Sequence, residues 1–197
     1  MNDPTDGDAA EGEDTGADVI LRPYDRSDAD ALWALKRGFE TGLGAGTGGD
    51  EKAATYEAKL TDEYRRRWLA WVDRCVDEQA ATVTVAEREG SEIEGRGDPA
   101  DGDPHGASPL VGYVFVLPES LAFVWDAAVL NEVYVRPARR GTGVADDLMA
   151  AALSAAREQD LPLDRMVLDV DRENDRARSF YERHGFEHWG EMVARDL

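Results

Sequence analysis

The sequence predicts an α/β (α+β) fold in one domain, with a mixed sheet covered by helices on both faces. Three observations point there. Apolar segments of strand length alternate with segments of helical period. A strand at Ala127 to Val135 is followed by a glycine turn, a helix and a second strand at Arg165 to Val170, the order of a parallel pair with a right-handed crossover. The chain has 197 residues, 42% of them hydrophobic, which suits one core plus polar tails.

Residues 1–18 hold seven acids and no base, show no periodicity, and read as an acidic disordered tail. The domain then spans 19–197. Val19 to Arg22 is a short strand that breaks at Pro23. Ser27-Asp28 offers a helix cap, and Ala31, Leu32, Leu35 and Phe39 follow at helical spacing. Thr41 to Asp50 reads as a glycine-rich loop. Glu51 to Ala80 places Ala53, Tyr56, Leu60, Tyr64, Trp68, Trp71, Cys75 and Val76 at steps of three and four, one amphipathic helix whose tryptophans belong to the core. Thr82 to Glu87 alternates as a strand, residues 89–109 form an acidic loop insertion, and Leu110 to Leu117 is another strand. Val144 to Glu158 is helical, Arg176 to His184 is a short helix, and Phe186 to Arg195 reads as a final strand.

The chemistry concentrates where a strand turns into a helix. Arg140-Gly141-Thr142-Gly143-Val144-Ala145 follows the strand ending at Val135, with Arg136, Arg139 and Arg140 beside it and no acid between them. Glycines let main-chain N–H groups approach an anion. The first turn of a helix has N–H groups without intrahelical partners and a positive dipole end, so a pyrophosphate is stabilised there. A second glycine run, Gly44 to Gly49, satisfies G-x-G-x-x-G. It follows a helical pattern rather than a strand, so it reads as a loop and not as a dinucleotide site.

The run Arg140-x-x-Gly143-x-Ala145 resembles the acetyl-CoA pyrophosphate loop of the GNAT N-acetyltransferases. Further on come Leu168-Asp169-Val170, Asn174, Ala177 and Phe180-Tyr181-Glu182-Arg183-His184-Gly185-Phe186. This order is similar to the second signature of that family. The resemblance implies a mixed sheet of six to seven strands whose parallel central strands splay apart to admit acetyl-CoA as co-substrate. It implies that the N–H groups of Gly141, Thr142, Gly143, Val144 and Ala145 take the pyrophosphate, assisted by Arg139 or Arg140. It implies that Val133, Tyr134 and Val135 offer a strand edge to the pantetheine amides, and that Asn174 bonds the cofactor arm. Tyr181 matches the family's general acid, which protonates the CoA thiolate, and a fixed N–H near Val133 would meet the developing oxyanion. The acceptor amine must lose a proton to Glu132, to Asp169, or to water acting alone. Trp33, Glu40 and Tyr56 are placed to line an acceptor cleft, and their spacing fits core packing equally well. The expected partners are acetyl-CoA and an amine, with a homodimer admitted. The other reading is a non-catalytic acyl-CoA-binding module.

Two features call for notice, one at the loop and one at a candidate base. Asp146 and Asp147 occupy the first helical turn, where they suit the dipole but oppose a pyrophosphate unless they point away. Asp169 is shorter than the glutamate often found at its place in the family.

Composition narrows the class. Net charge is −20, which argues against nucleic acid as a partner. Three lysines stand against nineteen arginines. Acid excess with scarce lysine resembles proteins of a high-salt cytoplasm, where the screening length falls to about 3 Å and an acidic protein can still hold anionic CoA. The lone cysteine excludes an internal disulfide, and the three histidines share no metal-ligand spacing, so no metal is expected. The first residues show no basic and apolar leader and no apolar run reaches membrane-spanning length, so a cytoplasmic location is expected.

Overall fold

The computed structural model describes residues 19–46, 49–89, 108–193 and 195. The acidic tail and all but the ends of the 89–109 insertion lie outside those residues. The sheet has five strands in the order β1-β2-β3-β4-β5: β1 Val19–Pro23, β2 Val83–Arg88, β3 Leu110–Val116, β4 Ala128–Val135 and β5 Met166–Val167. The first four pair antiparallel, and β4 pairs with β5 in parallel. Six to seven strands were expected. The missing one is the segment after Phe186, which joins no ladder; its Trp189 instead meets Trp125 edge-on at 6.3 Å and carries Arg165 over its ring.

Helices are α1 Ala29–Gly46, α2 Gly49–Ala58, α3 Asp62–Glu78, α4 Glu119–Ala122, α5 Val144–Arg157 and α6 Asp175–Arg183. The expected cap at Ser27-Asp28 is instead a box: the Asp25 carboxylate accepts from Ser27 N–H at 2.8 Å, and Asp28 accepts from Asp25 N–H at 3.0 Å. The expected glycine loop at 41–50 is largely helix, because α1 runs through Gly46 and α2 packs along it. The dinucleotide-like run therefore overlaps the end of a helix, consistent with its rejection. The single helix expected over 51–80 is two. Thr61 accepts from Tyr64 N–H at 3.2 Å and starts α3 afresh, so the apolar periodicity continues across a break that only the cap reveals.

Each face of the sheet has its own core. On one side Leu32, Leu35, Trp68, Val72 and Cys75 pack on Val85, Tyr113 and Phe115, with Trp71 against Phe115 at 4.9 Å. On the other, Val144, Leu148, Met149 and Ala152 of α5 pack on Val114, Val116, Leu130 and Val135. Burial pushes the Cys75 thiol up to about 11, so it is an inert packing group.

A charged cluster crosses the first core. Lys36 Nζ lies 2.5 Å from Glu132 and 2.7 Å from Glu40, and all three side chains are no more than 6% exposed. Tyr113 donates its hydroxyl to Glu132, and Lys59 closes on Glu40 at 2.7 Å. Burial works against the Lys36 charge, but Glu132 and Glu40 outweigh it and hold its pKa above the ordinary range. Removing one member of such a buried set strands the others. Lys36→Met should therefore cost about 3–5 kcal/mol at pH 7, measured by urea unfolding. The deficit should shrink on acidification, because burial disfavours the Glu40 carboxylate while Lys36 helps hold its pKa below the ordinary range, and that contribution is lost as Glu40 protonates.

Candidate active site

The site grows from one irregularity in β4. Leu117 N–H donates to Val129 O at 2.9 Å, and Arg136 N–H donates to Val111 O at 2.8 Å. Both bonds point β4 toward β3, yet the two β4 residues are an odd number of positions apart, so one extra residue must lie between them. The register confirms it: Phe115 faces Glu132 while Val116 faces Leu130, leaving Asn131 unpaired. The bulge flips the side-chain pattern. Leu130 joins the α5 core, whereas Glu132 turns to the α1 face and meets Lys36.

Beyond the bulge, alternation aims the main-chain groups of Glu132 and Tyr134 at β3 and those of Val133 and Val135 at the other side. On that side the strand has little company. β5 pairs with β4 only through Ala128–Met166 and Val129–Val167; the strand expected over 165–170 ends at Val167. From Leu130 onward the edge toward β5 joins no ladder among the described residues. This is the splay, and the Val133 and Val135 amides line it.

The glycine loop closes one end. Gly141 and Gly143 have φ of 83° and 89°, and a Cβ built on either would meet nothing within 4 Å. The left-handed backbone, not crowding, requires glycine there. Gly143 caps α5 without any side-chain bond, so the first N–H groups of α5 remain free for an anion. Thr142 turns its hydroxyl inward to Arg139 O at 2.9 Å.

The three arginines have separate duties. Arg136 donates Nε to Leu110 O at 2.9 Å and braces β3. Arg139 ends the single turn Pro137–Arg139. Arg140 donates Nε to Val135 O at 3.1 Å and lies over the Tyr134 ring at 5.9 Å. Burial, then the nearby charge of Arg176, lowers its pKa. Positive charge thus collects beside the loop, where an anion would relieve it. Arg176 was missed from sequence; it sits in the first turn of α6, and only the tertiary structure brings its charge to bear on Arg140. Asp146 does not oppose the loop. It turns to α6, with His184 Nε2 at 2.9 Å and Arg183 at 3.7 Å, and Asp147 is exposed.

Tyr181 packs on the α5 core with Phe180 and Phe186 around its ring at 5.5 and 5.8 Å. Burial alone pushes its phenol up to about 12. Asn174 caps α6 through its carbonyl, accepting from Ala177 N–H at 3.0 Å, which leaves its amide NH2 for other partners. Asp169 is exposed. Glu132 is enclosed, bonded to Lys36, Tyr113 and Asn131. Of the acceptor-side residues, Trp33 lines a cavity of about 410 Å³ with Arg37, Thr41, Glu57, Leu60 and Asp62. Glu40 is buried among lysines, and Tyr56 supports Lys59 at 4.5 Å.

Among the described residues no cluster of His, Cys, Asp and Glu is placed to hold a metal, and no helix is long and apolar enough to cross a membrane.

Comparison with known proteins agrees with this geometry. A stretch of 74 residues is 41% identical to the mycothiol acetyltransferase of Salinispora tropica, covering 36% of this chain and 24% of that protein; the match thus spans about a quarter of the relative's length. The N-acetyltransferase PaiA of Thermoplasma acidophilum, solved with coenzyme A, superposes with a TM-score of 0.61 at 17% identity over 86% of this chain and 89% of that one. AAC(6′)-Iy in complex with a CoA bisubstrate analogue gives 0.56 at 15% identity over 91% and 97%. The family model described as "Acetyltransferase (GNAT) family" matches residues 49–186, most of the chain, and with the open strand edge and the glycine loop in place the chain belongs to the GNAT acetyltransferases.

Proposed function

We propose that the protein moves an acetyl group from acetyl-CoA to a primary amine by direct attack in a ternary complex. The observation that carries this is the open β4 edge running into an unoccluded helix N-terminus beside Arg140 and Arg176. That combination suits a ligand with a row of amides and a diphosphate. The CoA of the PaiA and AAC(6′)-Iy structures and the acetyl transfer in the Salinispora tropica name support the same reading.

In this reading the pantetheine adds to β4 as a strand at Val133–Val135. The pyrophosphate takes the N–H groups of Gly141 to Ala145, with charge-assisted bonds from Arg139, Arg140 and Arg176, and the Asn174 amide reaches the cofactor arm. The amine nitrogen attacks the thioester carbonyl, the oxyanion meets Val133 N–H, and the carbon–sulfur bond breaks. A buried phenol raised to about 12 is a weaker acid than an ordinary tyrosine. Tyr181 therefore acts chiefly by hydrogen bonding to the departing sulfur as charge builds there. For the ammonium proton, Asp169 and water have open access; Glu132 acts only if its bonds to Lys36 and Tyr113 loosen as the acceptor binds. The acid-rich, lysine-poor composition supports a high-salt cytoplasm as the setting.

One observation favours a second reading, a non-catalytic acyl-CoA-binding module: Glu132 is already saturated with internal partners. The two separate on turnover, because a module binds CoA without releasing thiol from acetyl-CoA in the presence of amines.

Titration with CoA and acetyl-CoA in high salt should raise the melting temperature, with NAD giving no shift. Arg176→Ala and Arg140→Ala should each weaken CoA by about ten-fold, the scale of a lost charge-assisted bond, read by calorimetry. Tyr181→Phe should lower kcat by about ten- to a hundred-fold with CoA affinity nearly unchanged, in an assay of released thiol across an amine panel. Because the Tyr181 phenol donates only while protonated, and burial raises its pKa to about 12, kcat should show no fall near pH 10. A decline there that vanishes in Tyr181→Phe would keep Tyr181 as the donor but contradict its burial-raised pKa, whereas unchanged turnover in Tyr181→Phe would contradict the assignment.

A further inference from the structure

We infer that Tyr134 is a positioning residue that ties helix α1 to the cofactor loop and sets where the Arg140 guanidinium rests. This depends on the reading that the loop binds CoA. The main chain around Tyr134 lines the open edge, but its side chain leaves β4 on the opposite errand, toward α1, where it packs on the first core. Its ring is gripped at both ends.

At the far end is Gly38. A Cβ built on Gly38 would lie 2.3 Å from the Tyr134 hydroxyl oxygen and 2.7 Å from the ring carbon that bears it. No side chain fits there, so α1 has a notch at this turn and the phenol fills it. The depth of the ring is therefore set by α1. That helix is itself pinned to the same strand two residues earlier, through Lys36 and Glu132 at 2.5 Å.

At the near end is Arg140. Its guanidinium stands 5.9 Å from the ring centroid, while its Nε holds Val135 O at 3.1 Å. Among the described residues Arg140 makes no ion pair with a carboxylate, and Arg176 repels it. The ring face and one carbonyl are what hold this cation at the end of β4. A side chain without a π face at position 134 would leave the carbonyl alone to do so. A methyl group at position 38 would push the ring out from under the arginine.

The consequence is unusual for a packing residue. A change on α1, away from the loop, should be felt as lost CoA affinity, and only while Arg140 is present. The test is a double-mutant cycle on the full chain, with CoA dissociation constants from calorimetry and melting temperatures taken without ligand. Tyr134→Leu should weaken CoA about two- to five-fold, the size of an exposed cation–π contact, and Tyr134→Phe, which keeps the ring, should restore the affinity. Gly38→Ala should weaken CoA similarly. In an Arg140→Ala background all these differences should disappear. Equal losses in both backgrounds, or no loss from Tyr134→Leu, would overturn the inference while leaving CoA binding itself intact. A wild-type chain that binds no CoA would instead remove the functional reading and this inference together. Should Gly38→Ala fail to fold, the Tyr134 pair decides the matter alone.

Discussion

The departure of β5 from β4 after two residues is the constraint on which the rest of this structure depends. A strand in the middle of a sheet has main-chain donors and acceptors on both sides, and leaving one side without a ladder costs stability unless water or a ligand serves it. Here the unserved stretch is not an accidental edge. It begins at a bulge that reverses the side-chain pattern, and it ends at a glycine turn whose backbone also leaves donors free. The bulge matters because it sends Leu130 to one core and Glu132 to the other. Without the extra residue both would lie on one face, and the charged cluster around Lys36 would have no place in the first core.

Charge is organised with the same economy. A chain with an excess of acids can still concentrate positive charge locally. It gathers Arg140 and Arg176 at the loop, and it turns Asp146 away toward His184 and Arg183. The acid in the first turn of α5 thus favours the helix dipole and links α5 to α6, the helix that carries Tyr181. On the opposite face the cluster of Lys36, Glu40, Glu132 and Lys59 alternates in sign and fixes α1 over β4. The two faces of the strand therefore have different characters: an apolar one under Tyr181, and an ion-paired one under α1.

The two signatures were legible because their chemistry is local. A glycine turn and a strand that ends before Pro137 need only their neighbours in the chain, whereas the cap that Asn174 makes on α6 was not read from sequence. The boundaries that failed depended on things not visible there. The helix break at Thr61 is hidden because the apolar stripe of Tyr56, Leu60 and Tyr64 keeps its spacing through it. The glycines of 42–46 continue the helix begun at Ala29, which their own composition does not favour. The segment after Phe186 has strand composition but joins no ladder among the described residues, and its Trp189 packs on Trp125 instead.

Sequence by itself determined the family, the glycine loop and the candidates on β4 and α6, since these rest on residue types at short, fixed intervals. Tertiary structure decided what those residues can do. It enclosed Glu132 with Lys36 and Tyr113, raised the Tyr181 phenol by burying it, brought Arg176 to Arg140, and put Gly38 against Tyr134. Each of these follows from contacts between segments distant in the chain, where burial and the sign of the nearest charge govern the chemistry and no local pattern records them.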